Sequence, residues 1–260
     1  MSAPVDAAGR PGERSGTLER GLRLLQFFAA AGEATPAEAA KATGLSRSAT
    51  YRIADRLRGW GFLEANPATE ALRLGSEAVR LGMAALASLE VTRLAPPHLR
   101  RLADQTKETV NLAVVDGDQV VYIAKEEGTL AVKMSAQLGS RRPLHCTALG
   151  KAYLAALPPP ELAARLAGLE LARHTPATIT DPAALAAELE GVRARGWAVD
   201  DEEVEEGVFC LGAAVRDHRR LAVAAISVAG PAYRLRARAD QLGTLVAETA
   251  AAISRRLGHG

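Results

Sequence analysis

Residues 35–60, TPAEAAKATGLSRSATYRIADRLRGW, have the pattern of two short helices joined by a tight turn. Thr35 can cap the first helix, and Pro36 suits its first position because an N–H is not needed there. Gly44 can adopt the left-handed conformation that ends this helix, and Ser46 can cap the next one. The stretch therefore predicts a helix-turn-helix.

The second helix of this pair has one apolar face and one basic face. Ile53 and Leu57 point toward a core, whereas the first turn and a half is polar and basic, as in a helix that enters the major groove of DNA. Tyr51 has an alternative place, stacked in the core. The residues predicted to contact DNA are Thr35, Arg47, Ser48, Thr50, Tyr51, Arg52, Arg56 and Arg73. The last of these, Arg73, lies on the wing that is described next.

The flanking sequence favours DNA binding over an ordinary helical hairpin. Residues 62–65 and 71–74 read as two short strands joined by a turn at 66–70, which is the pattern of a wing. Upstream, apolar residues at helical spacing predict a first helix. These apolar residues are Leu18, Leu22, Leu25 and Phe28. Residues 16–75 are therefore predicted to form a winged helix-turn-helix domain.

The charge distribution agrees with a local nucleic-acid surface. The net charge is only +2 over 260 residues, so the protein has no global positive field. Within residues 46–58, in contrast, four arginines face the single acidic residue Asp55. Any affinity for double-stranded DNA must come from this patch.

Other features of the composition bear on the compartment. Two cysteines far apart in sequence argue against a disulfide framework and for a reducing environment. Residues 1–15 lack the apolar core of a signal peptide and are predicted to be a disordered leader. No apolar run approaches the ~20 residues of a membrane span. We expect a cytoplasmic protein without a membrane partner.

Residues 76–92 are predicted to form a linker helix. Its apolar positions Val79, Met83 and Leu86 either form a self-association seam or rest on their own domain, and the sequence leaves both open. A homodimer is favoured because a single winged domain reads too few base pairs for operator specificity.

Residues 93–258 are predicted to form an α+β domain with an antiparallel sheet and flanking helices. Strand pairs, one of them with an Asp116-Gly117 turn, alternate with helices. Strands are predicted at 110–115, 119–124, 131–134, 197–199, 208–215 and 221–228, and helices at 95–105, 147–154, 158–166, 181–191 and 241–257.

Four landmarks in order make this chain resemble an IclR-family transcriptional regulator. They are LRLG at 72–75, PLHCTALGK at 143–151, DDEE at 200–203 leading to GVFCL at 207–211, and ISVAGP at 226–231. The resemblance implies a GAF-like effector-binding domain after the linker, dimers that often pair into tetramers, and control of a metabolic operon by a small organic acid. A repressor is expected.

The small residues of the last two strands allow two interpretations. Pairing of 208–215 with 221–228 across a turn at 217–220 would place Cys210 opposite Ser227, on a face of small residues. These are Gly212, Ala214, Ala225 and Ala229. Such a face accommodates either a closely packed helix or a ligand cavity. The residues alone slightly favour packing, and the resemblance favours a cavity.

The resemblance also implies which residues bind the effector. Backbone N–H groups of residues 147–150, at a helix N-terminus, would bind the carboxylate. The implied set is Leu144, Thr147, Ala148, Leu149, Gly150, Asp200, Cys210, Ser227 and Ala229. Ala229 stands where many members carry a second serine, which favours a less polar ligand, such as the aromatic acid 4-hydroxybenzoate.

Catalysis and metal binding are the competing interpretations. His145-Cys146 with the distant Cys210 suggests a metal site or a Cys–His nucleophile, but paired zinc spacing is missing and the motif shows no third ligand. We therefore predict no catalytic residue, metal or cofactor. An enzyme using Cys146 and Cys210, or a ligand-free oligomerisation module, remains the alternative.

Several charged residues have a plain interpretation as well. Lys151 either contacts the bound anion or is a surface charge, and the second is favoured. The acidic run at 200–206 is expected to be a solvated turn, apart from Asp200. Arg141 and Arg142 are expected in a basic loop beside the pocket.

Overall fold

A computed structural model of the chain describes residues 16–69, 71–134 and 136–260. The predicted leader, residues 1–15, lies outside the described residues. The chain divides into two compact units, of which the first ends at Ser88 and the second begins at Leu89.

The first unit is a winged helix-turn-helix. Its strands form an antiparallel sheet in the order β1-β3-β2, in which the short strand β1, not predicted from the sequence, pairs with the wing. Its elements are α1 (Thr17–Ala31), β1 (Glu33–Ala34), α2 (Pro36–Thr43), α3 (Arg47–Gly59), β2 (Leu63–Ala65), β3 (Leu72–Leu74) and α4 (Ser76–Ala87).

The predicted helix caps are confirmed. The Thr35 side chain accepts a hydrogen bond from the Glu38 N–H, and the Glu38 carboxylate accepts one from the Thr35 N–H at 2.7 Å, which is a capping box. Gly44 has φ 70°, in the left-handed region, and ends α2. Ser46 Oγ accepts from the Ala49 N–H at 3.3 Å and starts α3. Local sequence therefore determines the geometry of the helix-turn-helix.

The predicted buried face of α1 is wrong in part. Phe28 is buried as expected, together with Leu24, but Leu18 and Leu22 are exposed. Apolar residues at adjacent positions allow two overlapping stripes at helical spacing. Packing against Ile53 and the wing strands selects the stripe that contains Leu24 and Phe28.

The linker helix is shorter than predicted. It ends at Ala87, because Leu89 adopts an extended backbone (φ −93°, ψ 108°), and a separate helix starts at Glu90. No side chain of α4 is buried, and Val79 and Met83 are each 62% exposed. The self-association seam stays a prediction.

The second unit contains a six-stranded antiparallel sheet in the order β6-β5-β4-β9-β8-β7. Its elements are α5 (Glu90–Leu94), α6 (Pro96–Thr106), β4 (Thr109–Asp116), β5 (Gln119–Glu126), β6 (Arg141–Pro143), α7 (Ala148–Ala156), α8 (Pro159–Gly168), α9 (Pro182–Arg195), β7 (Ala198–Asp201), β8 (Val208–Arg216), β9 (Ala222–Pro231), α10 (Ala232–Leu235), a 3₁₀ turn (Arg236–Arg238) and α11 (Ala239–Arg256). The α+β prediction is confirmed.

Helices cover both faces of this sheet. Side chains of α6 and α11 pack with Leu112, Leu211 and Ile226 on one face. The opposite face carries the small residues Ala113, Ala198 and Ala225, which pack with α7 and α9. The sheet is therefore the central layer of the unit, and the small-residue face lies beneath α7.

The prediction of a strand at 131–134 is wrong. That segment is irregular and is fixed by the Thr109 hydroxyl, which donates to the Met134 carbonyl at 2.6 Å. The strand beside β5 is instead Arg141–Pro143, so Arg141 and Arg142 lie in a strand and not in a loop.

The predicted register of the last two strands is also wrong. Cys210 pairs with Ala229, and Gly212 pairs with Ser227. Arg216 pairs with Ala222 and not with Leu221, and an irregularity between Val215 and Arg216 shifts the register by one more residue. Since the error is two residues, the same side chains still share one face of the sheet.

Glycines at two positions provide a test of this packing. A Cβ on Gly150 would lie 1.9 Å from the Leu144 carbonyl oxygen, whereas a Cβ on Gly82, in exposed α4, meets nothing within 4 Å. We expect Gly150→Ala to lower the free energy of unfolding by about 1–3 kcal/mol or more. Gly82→Ala should instead raise it by up to about 1 kcal/mol. Chemical denaturation followed by circular dichroism measures both, and equal stability of the two variants would contradict the packing.

Candidate DNA interface and effector site

The exposed face of α3 has the properties of a recognition helix. Arg47, Ser48, Tyr51, Arg52 and Arg56 are exposed. Within the described residues none of the three arginines has a salt bridge or a side-chain hydrogen bond, whereas Arg58 pairs with Asp55 at 3.5 Å. Unpaired guanidinium groups on one helix face are suited to phosphates and guanine edges.

Thr50 is not on that face, which corrects the prediction that it contacts DNA. Its residue is 0% exposed, and its hydroxyl donates to the Ser46 carbonyl at 3.0 Å. It lies three residues before Ile53 and therefore shares the buried face of α3. Tyr51 is 49% exposed, so the alternative that it stacks in the core is wrong.

The two remaining predicted DNA contacts already have partners. The Thr35 hydroxyl donates to the Glu38 carboxylate at 2.8 Å as part of the capping box. On the wing, Arg73 donates to Glu64 at 2.8 Å across the paired strands β2 and β3. Both side chains remain exposed enough to reach a duplex, and their contact with DNA stays a prediction.

In the second unit, residues that pair across neighbouring strands form rows that run across the small-residue face of the sheet. Asp200, Cys210 and Ala229 form one row across β7, β8 and β9. Gly212 and Ser227 belong to the next row. The structure thus brings together four of the residues predicted to bind the effector, Asp200, Cys210, Ser227 and Ala229, from three different strands.

Sequence reasoning missed two residues of this face, Asn111 and Tyr122. Asn111 pairs with Ser227 across β4 and β9, so their side chains point to the same face. Ala113, the next residue of β4 whose side chain points to that face, pairs with Tyr122 of β5. Both residues lie in a correctly predicted hairpin, but only the non-local β4–β9 pairing places that hairpin beside the predicted site.

Asn111 is an unusual buried polar residue. It is only 3% exposed, and its Oδ1 is buried without a hydrogen-bond partner among the described residues. An unpaired buried acceptor costs about 1–3 kcal/mol, and Oδ1 can accept a hydrogen bond from a molecule bound beside this face.

The N-terminus of α7 lies directly above this face. Thr147 caps the helix by accepting the Gly150 N–H at 3.0 Å. A Cβ on Gly212 would lie 2.7 Å from the Ala148 carbonyl, so helix and strand are in close backbone contact. At Gly212, the prediction that a closely packed helix covers the small residues is therefore correct. The N–H groups of Ala148 and Leu149 have no acceptor in the described chain and can bind an anion.

The other two predicted residues of this loop have fully buried side chains. Leu144 and Leu149 belong to the apolar cluster that includes Leu154. Their side chains hold the loop in place, so Leu149 can meet an effector only through its backbone N–H.

Polar side chains of the small-residue face lie beside this helix end, where the resemblance predicts a cavity, and we call this region the recess. Cys210 and Tyr122 retain accessible surface, yet burial among surrounding atoms raises the pKa of both groups, with Asp200 contributing to each shift. Cys146 also acts on Tyr122, so two thiols, a phenol and a carboxylate lie near one another here.

The thiols in the recess are poor nucleophiles. Burial, together with the carboxylates of Asp200 and Glu203, raises the pKa of Cys146 to about 12. Burial also raises the pKa of Cys210 well above its ordinary value. A thiol that stays protonated near neutral pH lacks the reactive thiolate that cysteine catalysis needs, which argues against the enzyme alternative.

Lys151 and Glu203 correct two further predictions. Lys151 is not a surface charge but is buried, and its ammonium forms an ion pair with the buried carboxylate of Glu203. Glu203 therefore does not belong to a solvated acidic turn. Because a buried ion pair is costly to break, this contact fixes α7 to the loop after β7.

Asp200 is held at the end of the recess by the same loop. Its Oδ1 accepts hydrogen bonds from the N–H groups of Glu203 at 2.8 Å and Val204 at 3.4 Å, while the described chain offers Oδ2 no partner. Burial raises the pKa of Asp200 to about 7, against the opposing effect of these N–H groups and Lys151. The carboxyl group can thus donate or accept near neutral pH.

Comparisons with known proteins define the class to which this architecture belongs. Residues 17–67 match the IclR helix-turn-helix domain, and residues 83–255 match the family described as bacterial transcriptional regulator IclR C-terminal. The chain belongs to the IclR family of transcriptional regulators. It is therefore a DNA-binding regulator and not an enzyme.

Particular relatives extend along nearly the whole chain. The HTH-type transcriptional repressor AllR of Klebsiella pneumoniae is 37% identical, over 98% of this chain and 97% of its own. The regulator BhcR of Paracoccus denitrificans is 34% identical, over 98% and 95%. The crystal structure of Thermotoga maritima IclR has a TM-score of 0.78 at 34% identity, over 94% of this chain and 99% of its own.

A more distant structure shares the fold. An IclR homologue from Microbacterium hydrocarbonoxydans, in complex with 4-hydroxybenzoate, has a TM-score of 0.81 at 24% identity, over 93% of this chain and 99% of its own. Among the described residues, no helix is long and apolar enough to cross a membrane.

The raised pKa of Asp200 predicts a pH-dependent stability. In the unfolded chain this carboxyl ionises near its ordinary pKa of 3.8, whereas in the folded protein it keeps its proton to about pH 7. Folding stability should therefore decrease as pH rises from about 4 to about 7. Asp200→Asn removes this loss. The difference in unfolding free energy between the variant and the wild type should therefore shift in favour of the variant by as much as about 4 kcal/mol between pH ~4 and pH ~8. Urea denaturation at both pH values measures the effect, and a constant difference between the two proteins would exclude it.

Proposed function

We propose that this regulator represses a metabolic operon and that a small aromatic acid, bound in the recess of the second unit, controls its affinity for DNA. The proposal rests chiefly on one observation, the anion-binding end of α7 placed above a recess lined by Asn111, Tyr122, Asp200, Cys210 and Ser227. Repression is supported by AllR, which is named as a repressor.

The DNA-binding part of the proposal rests on α3. Two copies of α3 in a homodimer would occupy successive major grooves of a nearly palindromic operator. Arg47, Arg52 and Arg56 would contact phosphates and base edges, with Ser48 and Tyr51 between them. The exposed apolar residues of α4 support self-association, since exposed apolar surface at Val79 and Met83 favours a partner.

The effector part rests on the balance of polar and apolar groups in the recess. The unpaired N–H groups of Ala148 and Leu149 suit a carboxylate. Ala229, which lies in the same row as Asp200 and Cys210, offers a methyl group, whereas a hydroxyl at this position would suit a very polar ligand. The Tyr122 ring supplies an apolar surface with a hydrogen-bonding end. An aromatic acid matches both ends, and the relative that binds 4-hydroxybenzoate shares the fold.

Loss of a free arginine from α3 should weaken operator binding. We expect Arg52→Ala to reduce affinity for the operator about tenfold or more if the guanidinium reads a base, and to lower the salt-dependence slope by about 1 if it meets a phosphate. Arg58→Ala is the matched control, because Arg58 is on the same helix but is paired with Asp55. Fluorescence anisotropy at ~150 mM salt, with the chain's own upstream region and a scrambled duplex, measures both effects. Equal affinity for the two duplexes would refute specific recognition.

Binding of an aromatic acid should stabilise the full-length protein. At ~100 times its dissociation constant, 4-hydroxybenzoate should add ~2.7 kcal/mol to the unfolding free energy. Tyr122→Phe should weaken binding several-fold by removing one hydrogen bond, whereas Tyr233→Phe, at an exposed tyrosine, should not. Ser227→Leu, which fills the recess, should abolish it.

A thermal-shift titration with benzoate, 4-hydroxybenzoate, phenylacetate and glyoxylate measures this effect. A response to glyoxylate alone would show that the effector is a two-carbon acid and not an aromatic acid. Silence of every acid, with operator binding intact, would refute an organic-acid effector.

A further inference from the structure

Three potential metal ligands converge beside α7. They are His145 and Cys146, in the loop before the helix, and His174, in the segment between α8 and α9. One ligand atom from each residue lies within 4.8 Å of the other two. The sequence motif showed only the first two, because His174 reaches the site through the fold.

The hydrogen bonding of the His145 ring leaves one of its nitrogens available for a cation. Its Nε2 lies 3.0 Å from the Ala172 carbonyl oxygen, which can only accept a hydrogen bond. Nε2 therefore carries the proton, and Nδ1 keeps a lone pair that is free for a cation. Metal-binding histidines commonly donate their second ring N–H to a backbone carbonyl in this way.

His174 supplies a second imidazole without a competing partner. Its ring makes no hydrogen bond to the described residues, and its centroid lies 5.9 Å from that of His145. His145 and Cys146 are buried, whereas His174 is exposed. The site therefore has a closed inner side and an outer side through which an ion can enter.

Two imidazole nitrogens and one thiolate are donors that ions of the zinc class prefer. In a tetrahedral zinc site such donors lie about 3.3–3.5 Å from one another, given bond lengths of ~2.0 Å to nitrogen and ~2.3 Å to sulfur. The three ligand atoms, which lie within 4.8 Å of one another, need to approach by no more than about 1.5 Å to reach these separations. The exposed His174 side chain can make that movement.

The neighbouring Lys151 ammonium is paired with the Glu203 carboxylate, so it leaves no uncompensated positive charge beside the three ligands. On binding, the Cys146 thiol releases one proton to solvent and its sulfur forms a bond to the ion, with no change in oxidation state.

We propose that His145, Cys146 and His174 form a binding site for a divalent ion of the zinc class, with water at the fourth position. Three protein ligands leave that position open, as in metal sites that exchange a bound water. The site shares Cys146 with the recess, but cobalt binding is read from the spectrum of the ion and can be present or absent whatever acid the recess takes.

Cobalt(II) titration of the chelator-treated, full-length protein tests this proposal. We expect one cobalt ion per chain, with the intense visible absorption of a tetrahedral ion and a thiolate-to-cobalt charge-transfer band, both lost on addition of zinc. His174→Asn should weaken binding at least tenfold. His218→Asn is the matched control, because His218 is exposed and lies outside the site, and it should bind cobalt like the wild type.

Two outcomes would overturn the site. One is a weak octahedral cobalt spectrum without the charge-transfer band. The other is equal cobalt affinity in wild type and His174→Asn, whose exposed side chain makes a folding defect unexpected. Cys146→Ser should lose the charge-transfer band. Because Cys146 is fully buried, the melting curve of this variant must first be shown to match that of the wild type.

Discussion

The close contact between the start of α7 and β8 is the constraint on which the effector domain depends. Gly212 leaves no room for a side chain beneath the Ala148 carbonyl, and Gly150 leaves none beside Leu144. This contact holds the free N–H groups of the helix at a fixed height above the sheet. The polar side chains of the neighbouring rows can then converge on one point, since the helix end and the strands cannot move independently.

Buried charge adds a second constraint at the same place. Lys151 on α7 and Glu203 after β7 are 52 residues apart in sequence but form an ion pair inside the protein. The Glu203 N–H in turn binds Asp200, so helix, loop and strand end are connected by one polar network. Such a network contributes little net stability but disfavours alternative arrangements strongly, because any of them leaves an unpaired buried charge.

Local features of the fold were predictable from sequence, and long-range ones were not. Thr35, Gly44 and Ser46 determine helix ends through their immediate neighbours, so their roles were read correctly. The sequence could also have excluded Thr50, which shares a helix face with Ile53. In contrast, the burial of Lys151 and the position of Asn111 depend on partners that only the tertiary fold brings near. The family resemblance supplied the predicted effector residues, but not these two.

The two glycines also bear on how ligand preference can diverge. Replacement at Gly150 or Gly212 forces the backbone of α7 to shift, so these positions are closed to adaptive change. Tyr122, Cys210 and Ala229 line the recess by side chain alone and can vary while the scaffold stays intact. The ligand preference of the proposed effector site can therefore change through a few substitutions, while the contact between α7 and β8 stays the same.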